Sequence, residues 1–175
     1  EALLANPLID FDKLLFVDMP FPQGSEWNHE TRHRLGYMAV PGAHLLTLTC
    51  LSPAGHLTQL APAEPLHGAF WRPDVSFDGR KVLFCFKPHN DKSFHLYEMD
   101  VDPPAAGAVA ADAAAAAPPR RGGQVRQLTD GPYDDLDPIY LPDGHIMFTT
   151  TRGHTYVRCM PPTNAYVLAR CDADG

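Results

Sequence analysis

Apolar and polar residues alternate in short runs along most of the chain, and two of these runs share one plan. Residues 73–84 read Pro-Asp-Val-Ser-Phe-Asp-Gly-Arg-Lys-Val-Leu-Phe, and residues 138–148 read Pro-Ile-Tyr-Leu-Pro-Asp-Gly-His-Ile-Met-Phe. In each run two extended segments meet at an Asp-Gly pair, where Gly tolerates the positive φ of a tight turn and Asp bonds nearby backbone. Each run therefore predicts a β-hairpin, and its recurrence predicts a repeat architecture.

Further landmarks recur at matching intervals. Phe16, Phe84 and Phe148 are separated by 68 and 64 residues, and the Gln-Leu pairs at 59–60 and 127–128 are 68 residues apart. Each unit then consists of a hairpin, a third strand and a short fourth strand that ends at Gln-Leu. Four short antiparallel strands per unit are typical of a β-propeller blade.

The pattern predicts an all-β fold, a partial β-propeller of about three four-stranded antiparallel blades. We expect the blades at residues 8–62, 70–130 and 133–175, of which the last is incomplete. A blade buries its apolar faces only against neighbours, and three blades cannot close a ring. The chain is therefore expected to form part of a six- or seven-bladed ring, or to be a fragment of a longer protein.

One segment within the second unit has a different composition. Residues 103–123 are almost entirely Ala, Pro and Gly with two Arg. Such a segment lacks the large apolar side chains that would offset the entropy lost on ordering, which predicts a disordered insertion between the third and fourth strands. The alternative is a short helix through Ala105 to Ala117, because Ala has a high helix propensity.

Composition and charge exclude some partners. The chain has 175 residues, 45% of them hydrophobic, with 18 Pro and 13 Gly, which favours turns over long helices. A formal net charge of -7 supplies no basic field for phosphates, so nucleic acid and anionic membrane surfaces are not expected as partners, and membrane insertion is not expected either. No apolar run approaches the roughly 20 residues of a membrane span, and no signal peptide is visible at the start.

One short motif has the spacing of a zinc site. His29, Glu30 and His33 form an H-E-x-x-H sequence, in which two His one helical turn apart bind zinc and the Glu activates a water molecule. The surrounding segment is polar and charged, and Ala39 stands where one class of zinc proteases has its third ligand. The alternatives are a zinc hydrolase, a structural or adventitious metal site at His29 and His33, and a solvated loop.

The four cysteines form no C-x-x-C pair, so neither a zinc ribbon nor covalent haem attachment is expected within this chain. Cys50 and Cys85 occupy strand positions and are predicted to be buried. Cys159 and Cys171 flank a loop of the third unit and could form a disulfide in an oxidising compartment.

An acidic cluster lies where the second unit passes to the third. It comprises Asp134, Asp135 and Asp137, and Arg152 follows the next strand. Such a junction approaches one end of a propeller channel, where carboxylates could hold a cation or a polar ligand. The alternative is turn chemistry, with Arg152 pairing a carboxylate in a structural role. The chain contains neither a Gly-rich phosphate loop nor a G-x-S-x-G nucleophile motif.

The motifs at 73–79 and 127–131 resemble the repeats of TolB-type propellers. Several segments together are similar to the middle domain of the hydrazine synthase alpha subunit and its relatives in large secreted bacterial proteins. These segments are residues 4–17, Pro41-Gly42-Ala43, residues 128–135, Leu141-Pro142-Asp143-Gly144, and Tyr156-Val157-Arg158-Cys159 before a Pro-Thr.

The resemblance implies a non-catalytic propeller module that binds or scaffolds within a larger exported protein, periplasmic or extracellular. Its partners would be the remaining blades or domains of the same protein, or a partner protein. The alternative is the propeller portion of a multihaem redox enzyme, with haem held by C-x-x-C-H motifs in other domains because this chain has none. No cofactor is expected in this chain itself.

Overall fold

A computed structural model describes residues 6–18, 43–52, 54–60, 68–88, 93–101, 125–157 and 163–175. All regular structure in these ranges is β-strand, which confirms the predicted all-β class. Within the same ranges, no helix has the length and hydropathy needed to cross a membrane.

The strands form three antiparallel sheets and one small hairpin. The first sheet has the order β1-β2-β3, with β1 at Lys13–Asp18, β2 at His44–Thr49 and β3 at His56–Gln59. The middle sheet has the order β4-β5-β6-β7, with β4 at Gly68–Val75, β5 at Lys81–Pro88, β6 at His95–Asp100 and β7 at Arg126–Gln127. The third sheet has the order β8-β9-β12, with β8 at Asp135–Tyr140, β9 at Ile146–Thr150 and β12 at Val167–Cys171. The hairpin pairs β10 at Tyr156–Val157 with β11 at Thr163–Asn164.

Among the described residues the middle sheet has four strands and the other two have three each, and none of the sheets closes on itself. The predicted Ala/Pro insertion at 103–123 lies outside the described residues.

The two Asp-Gly pairs form hairpin turns, as predicted. In the turn between β4 and β5, Asp78 Oδ1 accepts hydrogen bonds from Ser76 Oγ at 2.7 Å and Arg80 N at 3.1 Å, and Gly79 has a φ of 72°. The turn between β8 and β9 places Gly144 at a φ of 85°. Positive φ at both turns explains why glycine follows each aspartate.

The first strand of each hairpin is interrupted at an X-Pro step. The pairing of β4 with β5 shifts at Arg72-Pro73, and the pairing of β8 with β9 shifts at Asp137-Pro138. Arg72 and Asp137 have positive φ values of 43° and 52°. Proline has no N–H to donate to the sheet, so both prolines are accommodated in a bulge.

The core lies between the sheets in two layers. The layer between the first and middle sheets consists of Ala43, Leu45, Phe70, Val82, Phe84, Phe86, Met99 and Val101. The layer between the middle and third sheets consists of Ala69, Leu83, Cys85, Phe94, Leu96, Leu128, Leu136, Ile146 and Phe148. Successive residues of β5 thus enter opposite layers, as the twofold alternation of a strand requires.

Candidate functional site

The acidic cluster lies at the junction of the middle and third sheets. Asp135 is the first residue of β8 and pairs with Thr150, the last residue of β9. Its backbone N–H also donates to Phe94 O, immediately before β6, at 2.9 Å. Because β9 ends two residues before Arg152, this register brings the guanidinium to the carboxylate of Asp135.

Asp135 is fully buried and bonded on both oxygens. Oδ1 accepts hydrogen bonds from Thr150 Oγ1 at 2.6 Å and Arg152 Nε at 3.1 Å, and Oδ2 accepts one from Arg152 Nη2 at 2.8 Å. Burial raises the pKa of this carboxyl, but the neighbouring side chains of His95, Arg152, Thr150 and Thr129 more than offset that effect and lower the pKa to about 2. Asp135 is therefore an ionised, internally paired group at neutral pH.

Arg152 pairs with the carboxylate, as the structural alternative anticipated. Its Nη2 also donates to the carbonyl of Asp130 at 2.7 Å, and the guanidinium carbon lies 5.0 Å from the centre of the Tyr133 ring. The hydrogen bond to Asp135 raises the pKa of Arg152 further, so it stays charged. These contacts hold the loop before β8 against the end of β9.

Asp134 joins the middle and third sheets. Its buried carboxylate accepts a hydrogen bond from Phe94 N at 2.9 Å and one from Tyr166 Oη at 3.3 Å. Its backbone N–H donates to Thr151 Oγ1 at 3.0 Å. The side chain thus satisfies a backbone donor that lies 40 residues earlier in the chain.

Asp137 is the member of the cluster whose side chain reaches solvent. Its Oδ1 lies 3.3 Å from Arg72 Nε, and the two side chains are 48% and 67% exposed. An ion pair this exposed contributes little to stability. The two groups occupy matching bulges of β8 and β4, so the fold presents one carboxylate and one guanidinium side by side.

His95 is a residue that sequence reasoning missed. It is buried at the start of β6, where Nδ1 has no hydrogen-bond partner and lies 4.0 Å from Asp135 Oδ2. The signal that could have pointed to His95 is its position at the start of a strand, because His44 begins β2 in the same way as His95 begins β6. The pairings Asp18↔His44 and Phe86↔His95 place both in the same register of their sheets.

A second buried carboxylate also links the middle and third sheets. Glu98 Oε2 accepts hydrogen bonds from Lys81 Nζ at 3.0 Å and Arg126 Nη2 at 3.1 Å, while Oε1 accepts one from Tyr140 Oη at 3.0 Å. Burial, together with the charge of Glu98, raises the pKa of Tyr140 well above its ordinary value. Arg126 Nη2 further donates to the carbonyl of Ala173 at 2.7 Å. Glu98 therefore serves as a buried acceptor for three surrounding side chains.

The predicted metal residues His29 and His33, with Glu30 between them, lie outside the described residues. In the part of the chain that the structure describes, no three His, Cys, Asp or Glu side chains are grouped so as to hold a metal ion.

The cysteines have three different outcomes. Cys85 is fully buried as predicted, and burial raises its pKa well above the ordinary value of a thiol. The prediction that Cys50 is buried is wrong, because β2 ends before it and the residue lies exposed with a φ of 55°. Cys171 is half-buried at the end of β12, while Cys159 lies outside the described residues, so their pairing stays a prediction.

The chemistry of the junction divides into two parts. Asp134, Asp135 and Arg152 bond to groups of the fold, and Asp135 has internal donors on both oxygens. Asp137 and Arg72 present their polar atoms to solvent. A polar ligand would therefore meet the bulge pair, whereas the buried groups hold the sheets that position it.

No protein-family model matches the chain, and no curated protein is significantly similar to it.

Proposed function

We propose that the chain is a non-catalytic β-propeller module that binds or scaffolds within a larger exported protein of the hydrazine synthase alpha middle-domain type. The three sheets serve as blades in this proposal, and the remaining blades or domains of the same or a partner protein complete the ring. The compartment is periplasmic or extracellular. Any haem belongs to other domains.

The observation that carries this proposal is the same register in two successive sheets. Gln59 pairs with Leu46 in the first sheet, and Gln127 pairs with Tyr97 in the middle sheet. The Leu that follows each Gln then donates its N–H to the neighbouring strand, to the carbonyl of Leu45 in β2 at 2.9 Å and to that of Leu96 in β6 at 2.8 Å. A short last strand that pairs alike in both sheets, β3 in the first and β7 in the middle, supports one repeated blade plan.

The way the sheets stack supports the same proposal. Phe84 of β5 is buried against the first sheet, and Phe148 of β9 is buried against the middle sheet. Each phenylalanine thus faces the sheet that precedes its own. A series of sheets stacked in one direction is what successive blades require.

Within this module we assign ligand contact to Asp137 and Arg72. They project from matching bulges in the first strand of their sheets, which is the strand nearest the channel of a propeller. The neighbouring Asp134, Asp135 and Arg152 act as structural groups in this proposal because their polar atoms bond within the fold.

The test is a structure of the parent protein determined by electron cryomicroscopy. We expect a closed ring in which further four-stranded sheets cover the free faces of the first and third sheets. Helical domains on those faces, or solvent, would contradict the proposal.

A pyridine haemochrome spectrum of the same purified parent protein distinguishes the scaffold from the alternative, a multihaem redox enzyme. Covalently bound haem there would favour the redox enzyme, with this chain as its propeller portion. A spectrum without haem favours the scaffold.

A further inference from the structure

The first sheet has a second apolar face that no other described sheet covers. In β1, Leu15 and Val17 pack on the layer shared with the middle sheet, so alternate residues point the other way. Leu14 on this opposite face pairs with Leu48 of β2, which in turn pairs with Leu57 of β3, so the face extends across all three strands. Leu14 and Leu57 are 44% and 62% exposed. The apolar part of the outer face of the first sheet consists of Leu14, Phe16, Leu46, Leu48 and Leu57, and Gln59 and the paired Asp18 and His44 lie at its margin.

The third sheet also has a free apolar face. Ile146 and Phe148 of β9 pack toward the middle sheet, so Met147 between them points outward. Ile139 pairs with Met147, and Leu168 pairs with Thr149 beside it. Ile139 and Leu168 are 41% and 71% exposed. The outer face of the third sheet consists of the apolar Ile139, Met147 and Leu168 together with Thr149 and Arg170, which pair with Leu168 and Met147.

Each outer face has a counterpart that is covered inside the chain. Phe16 pairs with Leu46 as Phe84 pairs with Tyr97, and the Phe84 face of the middle sheet is covered by the first sheet. The outer face of the first sheet therefore belongs to the kind that receives a preceding sheet.

The opposite kind of face is at the other end of the stack. Thr149 pairs with Leu168 as Cys85 pairs with Leu96, and the Cys85 face of the middle sheet is covered by the third sheet. The outer face of the third sheet therefore belongs to the kind that receives a following sheet.

We propose that these two faces bind each other between two copies of the chain, the third sheet of one copy on the first sheet of the other. The contact is heterologous, because it joins two different surfaces, and a second contact of the same kind closes a ring of two copies. The inference rests on the proposed function, since it extends the stacking of blades. It adds that the chain carries both halves of the missing contact.

A second copy fits these faces for a specific reason. The same kind of interface between consecutive sheets occurs twice within one chain, and each copy offers one unused face of each of the two kinds that form it. Joining two like faces would instead set Phe16 against Phe16, an arrangement that occurs at neither internal interface. Desolvating the exposed leucines supplies the driving force.

The test is the molar mass of the purified chain by size-exclusion chromatography with light scattering. We expect a species of twice 19.3 kDa for the wild type. Leu57→Asp damages the first outer face and Leu168→Asp damages the third, and both positions are exposed enough to keep the fold. Each variant alone is expected to be a monomer, because burying the new carboxylate at the contact raises the dissociation constant of the dimer ~100-fold or more.

An equimolar mixture of the two variants gives the decisive result. Each retains the face that the other lacks, so the mixture should regain one contact and the mass of a dimer. Phe77→Asp is the matched control, because Phe77 is 75% exposed in a hairpin turn away from both faces and should leave the dimer intact. Circular dichroism checks that all three variants are folded. Phe16→Asp on the first outer face and Met147→Asp on the third provide a second pair of face variants for the same mixing experiment.

Three results would overturn the inference. The first is a wild-type chain that is still a monomer at ~100 μM, because its two faces would then have no useful affinity for each other. The second is a dimer formed by either face variant alone, which would indicate contact between two like faces. The third is a mixture of the two variants that stays monomeric. A ring built only from blades of the parent, with the isolated chain monomeric, would reject this inference and leave the proposed function standing. A parent without a ring would reject the proposed function.

Discussion

Asp135→Asn is the substitution with the sharpest consequence for stability. The carboxylate has no solvent exposure and receives the Arg152 guanidinium at 2.8 Å and the Thr150 hydroxyl at 2.6 Å. Asparagine keeps the shape and can still accept from Thr150, but it removes the charge that balances Arg152. We expect the free energy of unfolding at pH 7 to fall by about 3 kcal/mol, the lower end of the range for buried pairs that lose one member, because the Arg152 side chain is 37% exposed.

The pH dependence gives an independent magnitude. The pKa of Asp135 is about 2 in the folded protein, against an ordinary value of 3.8 for an aspartate in the unfolded chain. Because the folded pKa lies below the unfolded one, the unfolded chain binds the proton more tightly, and ionised Asp135 stabilises the protein fully only above pH 3.8. The difference corresponds to about 2.5 kcal/mol, of which about 1 kcal/mol is lost by pH 3 and about 2 kcal/mol by pH 2.

The assay is urea unfolding of the wild type and the Asp135→Asn variant at several pH values between 7 and 2, followed by tryptophan fluorescence. The gap between their free energies of unfolding should be widest near neutrality and narrow as the pH falls through 3. Asp137→Asn is the matched control from the same run of aspartates. Its carboxylate is exposed in a weak ion pair, so a change within about 0.5 kcal/mol is expected.

A constant gap between pH 6 and pH 2 would refute this reasoning, because it would mean that ionisation of Asp135 contributes nothing to stability. Equal effects of Asp135→Asn and Asp137→Asn would refute the distinction between the buried and exposed parts of the cluster.

Three further predictions concern the layers and turns. Phe84→Ala removes a fully buried ring and should lower the free energy of unfolding, measured in urea, by about 3–5 kcal/mol. Phe77→Ala in the exposed turn is the control and should change it by less than about 0.5 kcal/mol, and similar losses in the two variants would argue against the assigned layer. Gly144→Ala places a Cβ at a φ of 85° and should cost about 1 kcal/mol in the same assay, and an unchanged midpoint would be inconsistent with that turn. Cys50 should react with iodoacetamide in the folded protein, whereas Cys85 should be modified only on unfolding, as peptide mass spectrometry would detect; early modification of Cys85 would contradict its burial.

The sequence predicted those features that depend on neighbouring residues. The Asp-Gly turns at Gly79 and Gly144 form because only local backbone geometry is required. The Gln-Leu pairs were also placed correctly, at the end of the short strands β3 and β7. Patterning along the chain therefore sufficed for the all-β class and for most strand positions.

The site was less accessible to sequence reasoning because its contacts join distant parts of the chain. Asp134 bonds to the backbone of Phe94, 40 residues earlier, and no local pattern announces that contact. The pairing of Arg72 with Asp137 likewise depends on two bulges brought together by sheet packing. Cys50 was misplaced because a single positive φ takes the chain out of β2 just before it.

The position of β5 between two apolar layers has a consequence for how this protein can vary. Val82, Phe84 and Phe86 are committed to one layer, and Leu83 and Cys85 to the other, so five consecutive positions are closed to polar replacement. In the first and third sheets, at the two ends of the stack, only alternate residues of a strand face an apolar layer, so only those positions are closed to polar replacement. Mutational tolerance should therefore be lowest at the centre of the stack and should increase toward both ends.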